Sequence, residues 1–480
     1  MKTPTAPEQA RAWHAEFAWL PGVGILPDVL IEAAGDRFTT ITPRVGVGSL
    51  PPGVIRLGGL TVPGLANAHS HAFHRALRGV TQAGRGTFWT WRERMYQVAA
   101  RLEPSNYRAL ARAVYAEMTL AGISCVGEFH YVHHGSDGTP YADPNAMSLA
   151  LIEGAAEAGL RITLLDACYL SGGLDPAGWS LPLSGPQVRF GDGTAQEWAK
   201  RVGLLGTDEH GMLGPSAMVG AAIHSVRAVP PEQMATVAAW THATGAPLHV
   251  HLSEQVAENN ACLAAYRCTP AALLYDAGVL GPRTTVVHAT HLTSADIRLL
   301  GGSEVFACVC PTTEADLADG IGPFGALATA GCRLTVGSDS QAVIDLFEEA
   351  RRIEMYERLA SMERGHFTAE ALGTAVTWDG HASLGWPDAG EIAPGSLADL
   401  VTVTLDSPRL AGAPLPGRRG ARQEPRELNL HLLEAVIFAA SPADVRNVVI
   451  GGRDVVADGR HLLVDDVPAA LSAAVRAVLD

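Results

Sequence analysis

The sequence predicts a (β/α)8 barrel of the α/β class, with a smaller composite β-sandwich domain built from both chain ends. Between about residues 61 and 390, short β-rich apolar runs alternate with longer stretches of helical periodicity. There are eight such runs. The polar residues with useful chemistry gather at their C-terminal ends, the face on which a barrel of this kind carries its active site. At 480 residues the chain has room for a barrel and an accessory domain.

Taken in order, residues 1–60 contain strand-like, turn-rich pieces such as DVLIEAAGDRFTTITP and form the N-terminal part of the composite β domain. The barrel occupies 61–389, with strands expected at 61–71, 123–132, 161–170, 217–225, 247–253, 284–292, 305–311 and 333–340. Helix-like segments such as NYRALARAVYAEMTLAG and NAMSLALIEGAAEAG lie between them, each closed by a glycine. Residues 390–480 return to strand-like texture in LADLVTVTL, VRNVVIGG and RDVVADGRHLL, the C-terminal part of the composite domain. A loop-like stretch rich in Pro, Gly and Arg covers 407–427.

Composition narrows the function. A chain with 47% hydrophobic and 18% charged residues builds a filled globular core. The net charge of −15 argues against a nucleic-acid partner. No apolar stretch approaches the roughly 20 residues that cross a bilayer, and the N-terminus lacks the apolar region of a secretory signal. Seven scattered cysteines without a CxxC pair suit a reducing, cytoplasmic setting, with Cys308 and Cys310 as core residues. A small-molecule substrate is the expected partner.

The first candidate for chemistry is His69-x-His71 at the end of the first strand. Residues i and i+2 of a strand share a face, so both imidazoles can meet one transition metal. Glu128 to His134 end the second strand, His224 the fourth, His251 the fifth, His288 to His291 the sixth and Asp339 the eighth. His249 and His251 also share a face; His251 is nearer the rim and is preferred as third ligand, with His249 as a packed histidine. Asp339, ending a buried strand, needs a metal or a partner to stay ionised and is the fourth ligand. Three histidines and an aspartate suit zinc, one ion per chain, with ferrous iron as the alternative. Such an ion lowers the pKa of a water towards roughly 7, and Glu254, His288 and Asp339 become the proton-transfer groups.

This constellation resembles the amidohydrolase superfamily over essentially the whole chain. Some members hold two metals bridged by a carboxylated lysine after the fourth strand. Lys2 and Lys200 are the only lysines here, and Lys200 lies in a polar segment before that strand, so the mononuclear, deaminase-like branch is implied. Within it, HSHAFHRALRG (69–79), FWTWRERMY (88–96), GEFHYVHH (127–134), HSVRAVP (224–230), HVHLSEQ (249–255), HATHLT (288–293) and GSDS (337–340) look like the formimidoylglutamate deiminase family. The resemblance implies hydrolytic deamination of N-formimino-L-glutamate in histidine degradation. It also implies Arg92 and Arg227 as forks for the two substrate carboxylates, and Tyr131 and His224 as further substrate contacts. His74 stands where such enzymes often carry a glutamine that touches substrate. Relatives are often homodimers, which is the expected state. The rival reading is another mononuclear deaminase acting on a guanine, nucleoside or triazine ring, which would leave the two arginines unexplained. His130, His133 and His134 are expected to be supporting or surface groups.

Overall fold

The computed structural model describes residues 10–206, 213–416 and 430–480, so residues 417–427 of the expected loop lie outside the described part. Four strands open the chain: β1 (Ala10–Leu20), β2 (Gly24–Ala34), β3 (Arg37–Thr42) and β4 (Ile55–Pro63). The barrel follows with β5 (Leu65–Ser70), β6 (Ile123–His130) and β7 (Arg161–Cys168). A small hairpin of β8 (Gly173–Leu174) and β9 (Ser180–Leu181) interrupts it. It resumes with β10 (Ala217–Ser225), β11 (Leu248–Leu252), β12 (Thr284–His288), β13 (Phe306–Val309) and β14 (Arg333–Val336). The chain ends with β15 (Leu400–Val403), β16 (Val445–Ile450), β17 (Arg453–Ala457) and β18 (Arg460–His461).

The barrel strands run parallel in sequence order from β5 to β14, as the sequence predicts. Every residue of β5, β6, β7, β11, β12 and β13 is buried. Helices cover the outside and side chains fill the inside, which is why these strands read as unbroken apolar runs. Ala68, Val287, Cys308 and Cys310 pack together in one buried cluster, so both cysteines are core residues.

Closure between first and last strands is short. Ser70 pairs with Asp339 across the seam; the Asp339 amide donates to the His69 carbonyl (3.0 Å), and the His71 amide donates to the Asp339 carbonyl (3.2 Å). The seam needs Gly337, because a Cβ there would stand 2.7 Å from the Cβ and the carbonyl oxygen of His69.

The two chain ends join in one continuous eight-stranded sheet, ordered β18-β17-β16-β15-β4-β1-β2-β3. Antiparallel pairing of β4 with β15 makes the union, over a core that includes Trp13, Ile31, Phe38, Leu57, Leu400 and Val449. Two expectations need correction. Residues 61–63 finish β4 in this sheet, and the first barrel strand begins at Leu65. Gly64 makes the break, since a Cβ there would sit 2.2 Å from Ser124 Oγ. The C-terminal region also holds two helices, His431–Ala439 and Val467–Leu479, beside its strands. Among the described residues no helix is long and apolar enough to cross a membrane.

Candidate active site

Side chains from three strand ends converge at the C-terminal mouth of the barrel. His69 lies on β5, His71 follows it, His251 is on β11 and Asp339 follows β14; none is more than 6% exposed. His69 Nε2 is 3.4 Å and His71 Nε2 is 3.5 Å from Asp339 Oδ1. His251 Nε2 is 3.1 Å from His69 Nε2.

Hydrogen bonds decide which ring nitrogens are protonated. His71 Nδ1 is 2.8 Å from the Phe129 carbonyl and His251 Nδ1 is 2.8 Å from the His224 carbonyl. A carbonyl only accepts, so both Nδ1 atoms donate and both Nε2 atoms present lone pairs to the centre. Burial pushes the pKa of His71 and His251 well down and, against the pull of Asp339, lowers that of His69; all three are neutral at pH 7. Burial raises Asp339, but the imidazoles of His69, His288 and His71 around it outweigh that, so the carboxylate is held below its ordinary range. Four ligand atoms around an ion at roughly 2.0–2.1 Å stand about 3.3 Å apart. Three of the six distances among the four, 3.1, 3.4 and 3.5 Å, match that spacing. The lone pairs of His71 and His251 converge with His69 Nε2 and the Asp339 carboxylate, a donor set that fits a divalent cation.

His249 is the packed histidine of its pair: its Nε2 meets the Ser383 carbonyl at 3.1 Å. Lys200 sits on the helix Ala195–Gly203 with its side chain 75% exposed, far from a bridging role.

The strand ends bend sharply at this mouth. Ser253, His288, Ala289, Asp339 and Gln341 all have positive φ, between 40° and 68°. Such conformations cost non-glycine residues of order 1 kcal/mol or more and persist where the surroundings impose them. Beneath the histidines a hydrogen-bond chain stitches strands together. Asn67 Nδ2 donates to Ser338 Oγ (2.6 Å), which donates to Gln341 Oε1 (2.8 Å). Gln341 Nε2 donates to Ser70 Oγ (2.9 Å), which donates to Glu128 Oε2 (2.8 Å). Burial raises the Glu128 carboxyl to about 8, against the bonds from Ala72 N, Ser70 and Tyr115.

A cavity opens over this centre. His71, His251, His288, Glu254 and Asp339 line it together with Phe88, Trp91, Tyr96, Tyr131, Tyr169 and Phe190. His288 Nε2 is 3.8 Å from Glu254 Oε1 and 3.9 Å from Asp339 Oδ2. Burial raises Glu254 to about 7, with His288 and Arg227 pulling the other way. For His288 burial works downward, but Glu254, Glu314 and Asp339 outweigh it and hold its pKa well above the ordinary value.

All five expected substrate contacts line the same cavity: His74, Arg92, Tyr131, His224 and Arg227. Arg92 forms no ion pair among the described residues; its guanidinium lies over Trp89 (4.5 Å) and Tyr96 (5.5 Å). Arg227 Nε donates to Glu258 Oε2 at 2.6 Å, an anchor that sequence reading missed. His74 Nε2 and the Tyr131 hydroxyl are 3.1 Å apart, and burial pushes the His74 pKa down to about 3, so it faces the cavity as a neutral ring. His224 packs edge-on against Tyr169, with ring centres 4.4 Å apart.

The profile of the amidohydrolase family matches residues 60–455, the span that contains every one of these side chains. The chain belongs to the amidohydrolase family. As a whole, this amidohydrolase is 36% identical to a formimidoylglutamate deiminase of Pseudomonas aeruginosa, over 94% of its own length and 95% of the relative's. It is 29% identical to an 8-oxoguanine deaminase of the same organism, over 83% of each chain. Among solved structures, an amidohydrolase from Brucella melitensis superposes with a TM-score of 0.84 at 30% identity, covering 98% of this chain and 100% of that one. The motif resemblance is thus matched by similarity along the chain, and the protein is a hydrolase.

Some parts of the site lie outside the expected set. His130, His133 and His134 are buried, and none is a surface group. His133 Nε2 meets the Ala167 carbonyl (2.9 Å) and His134 Nε2 meets Asp192 (3.2 Å), away from the cavity. Glu314 follows β13 and faces His288; it could have been found by the signal that marked the others, a polar residue just beyond an apolar strand.

Proposed function

We propose that this amidohydrolase is a formimidoylglutamate deiminase that hydrolyses N-formimino-L-glutamate to N-formyl-L-glutamate and ammonia in histidine degradation. One observation carries the reading: Arg92 and Arg227 line the same cavity as Glu254, His288 and Asp339. Two guanidinium forks suit the two carboxylates of a glutamate moiety. The carboxyl groups of Glu254 and Asp339 suit the cationic formimino end.

His69, His71, His251 and Asp339 would hold one zinc ion, with ferrous iron as the alternative. When bound, that ion supplies Lewis acidity and makes hydroxide available near neutral pH. Asp339, kept ionised, takes the proton from the attacking water, and His288 beside it, already protonated, stabilises the charge that develops. Glu254, with its carboxyl raised to about 7, still carries a proton near neutrality and delivers it to the departing nitrogen. Tyr131, His224 and His74 complete the substrate contacts. The enzyme is expected to be cytoplasmic and homodimeric, with no nucleic-acid or membrane partner.

A second reading, deamination of a flat ring, is favoured by the aromatic lining of the cavity. An ammonia-release assay separates the two. N-formimino-L-glutamate is expected to turn over, to stop with a chelator and to recover with zinc, while guanine, 8-oxoguanine and adenosine release little. Ammonia from the ring compounds alone would overturn the assignment.

A further inference from the structure

Glu314 takes no part in the proposed proton transfers, yet it is one of the most enclosed carboxyl groups in the molecule. It lies on the helix Pro311–Asp316, directly after β13, and is 1% exposed. Its side chain folds back so that Oε1 accepts from the Cys310 amide at 2.9 Å, which fixes the carboxyl against the start of its own helix. The same oxygen is 3.5 Å from His288 Nδ1. Among the described residues, His288 Nδ1 and Glu314 Oε2 each lack a hydrogen-bond partner. His288 Nδ1 is buried with no hydrogen-bond partner, so the carboxyl beside it is its natural acceptor.

The opposite nitrogen of the ring, His288 Nε2, faces Glu254 and Asp339 at the reacting centre. The left-handed backbone of His288 and Ala289 (φ 68° and 51°) turns the ring into this bridging position. An imidazole between two sites has a choice of tautomer and of ring flip, and a carboxylate on one side removes it. We propose that Glu314 is the positioning residue of His288. It keeps a proton on Nδ1 and holds the ring so that Nε2 serves the reacting atoms. Glu314 does not touch substrate, and its effect passes through His288 alone. Cys310 Sγ lies in the same buried group, but a metal there would need the nitrogen that faces Glu314.

The proposal rests on the role given to His288 in the deaminase reading, and the test separates the two. In the zinc-loaded full chain, E314A is expected to lower kcat for N-formimino-L-glutamate by about 10–100-fold, the usual effect of removing a ligand-orienting partner. KM should change less than about twofold, and bound zinc should stay at one equivalent. E314Q, which keeps an oxygen for Cys310 and for the Nδ1 proton, should recover most of the rate. Independently of any turnover, long-range ¹H–¹⁵N spectra of imidazole-labelled protein report the tautomer, with His288 assigned by its loss in H288N. Wild type should carry a proton on His288 Nδ1, and E314A should lose that fixed pattern. The tautomer readout stands even if formiminoglutamate is not the substrate. A bare Nδ1 in wild type, an unchanged kcat in E314A, or a second metal equivalent lost with Glu314 would overturn the proposal. Parallel loss of rate, zinc and thermal stability in both variants would also overturn it, by making Glu314 merely structural.

Discussion

Asp339 is where the demands on single residues meet. It closes the barrel through its backbone, faces two histidines through one oxygen and approaches His288 with the other. D339N keeps the shape but loses the anionic ligand and the base together. Ammonia release should fall to background and bound zinc should drop, as metal analysis of the purified variant would read. Arg227 is different in kind: it is held by Glu258 and lines the cavity without approaching the four-residue centre as a ligand. R227A should raise KM by roughly tenfold or more with a smaller change in kcat, as expected for lost uniform binding; an unchanged KM would remove Arg227 from substrate recognition. Glu254 sets the pH dependence. Its carboxyl is raised to about 7, so the protonated acid is depleted as pH rises through that value. The kcat/KM profile should therefore decline on the alkaline side. E254Q can donate no proton to the leaving nitrogen and should lose about 10²–10⁴-fold in rate, with no such limb in what remains.

At the scale of elements, the decisive contact is the seam between β5 and the loop after β14. Gly337 permits it, and G337A would press a methyl group into the His69 backbone. The expected cost is roughly 1–3 kcal/mol of stability, as for other overpacked sites. Both Tm and zinc occupancy should fall, because the strained segment carries Asp339 on one side and touches His69 on the other. All eight barrel strands were legible in the sequence because strands buried on both faces spell continuous apolar runs. The boundary at 61–63 was not, since β4 and β5 are both apolar and only Gly64 separates them. The helix Val467–Leu479 carried its own signals, Asp466 as cap and Pro468 in the first turn, but strand-like neighbours masked them.

For the whole molecule, the question is how the barrel holds the sheet made from the chain ends. Arg161, the first residue of β7, forms a two-pronged buried ion pair with Asp399 (3.2 and 3.1 Å) just before β15. Asp399 also accepts from the Gly451 amide at 2.6 Å. Arg161 begins its strand, whereas the metal-site histidines end theirs, so this joint lies at the end of the barrel opposite the active site. D399A leaves a buried guanidinium unpaired, and breaking such a pair costs about 3–5 kcal/mol. The denaturation midpoint should fall markedly in urea, while kcat at low temperature stays close to wild type.

The sequence by itself determined the kinds of ligand, their order along the chain and the strand ends that bear them. Each of those is local: a histidine or aspartate closing an apolar run is visible without knowing what it faces. The sequence preferred His251 over His249 for its place nearer the rim, and the tertiary structure decided between them. The two share a face, but a rise of roughly 6.6 Å over two residues puts one at the rim and the other against the Ser383 carbonyl. The same holds for the Glu258 anchor of Arg227, the closure of the barrel through Asp339 and the pairing of Glu314 with His288. These contacts join residues from different strands and loops, and their distances are set by how the barrel closes rather than by any spacing along the chain.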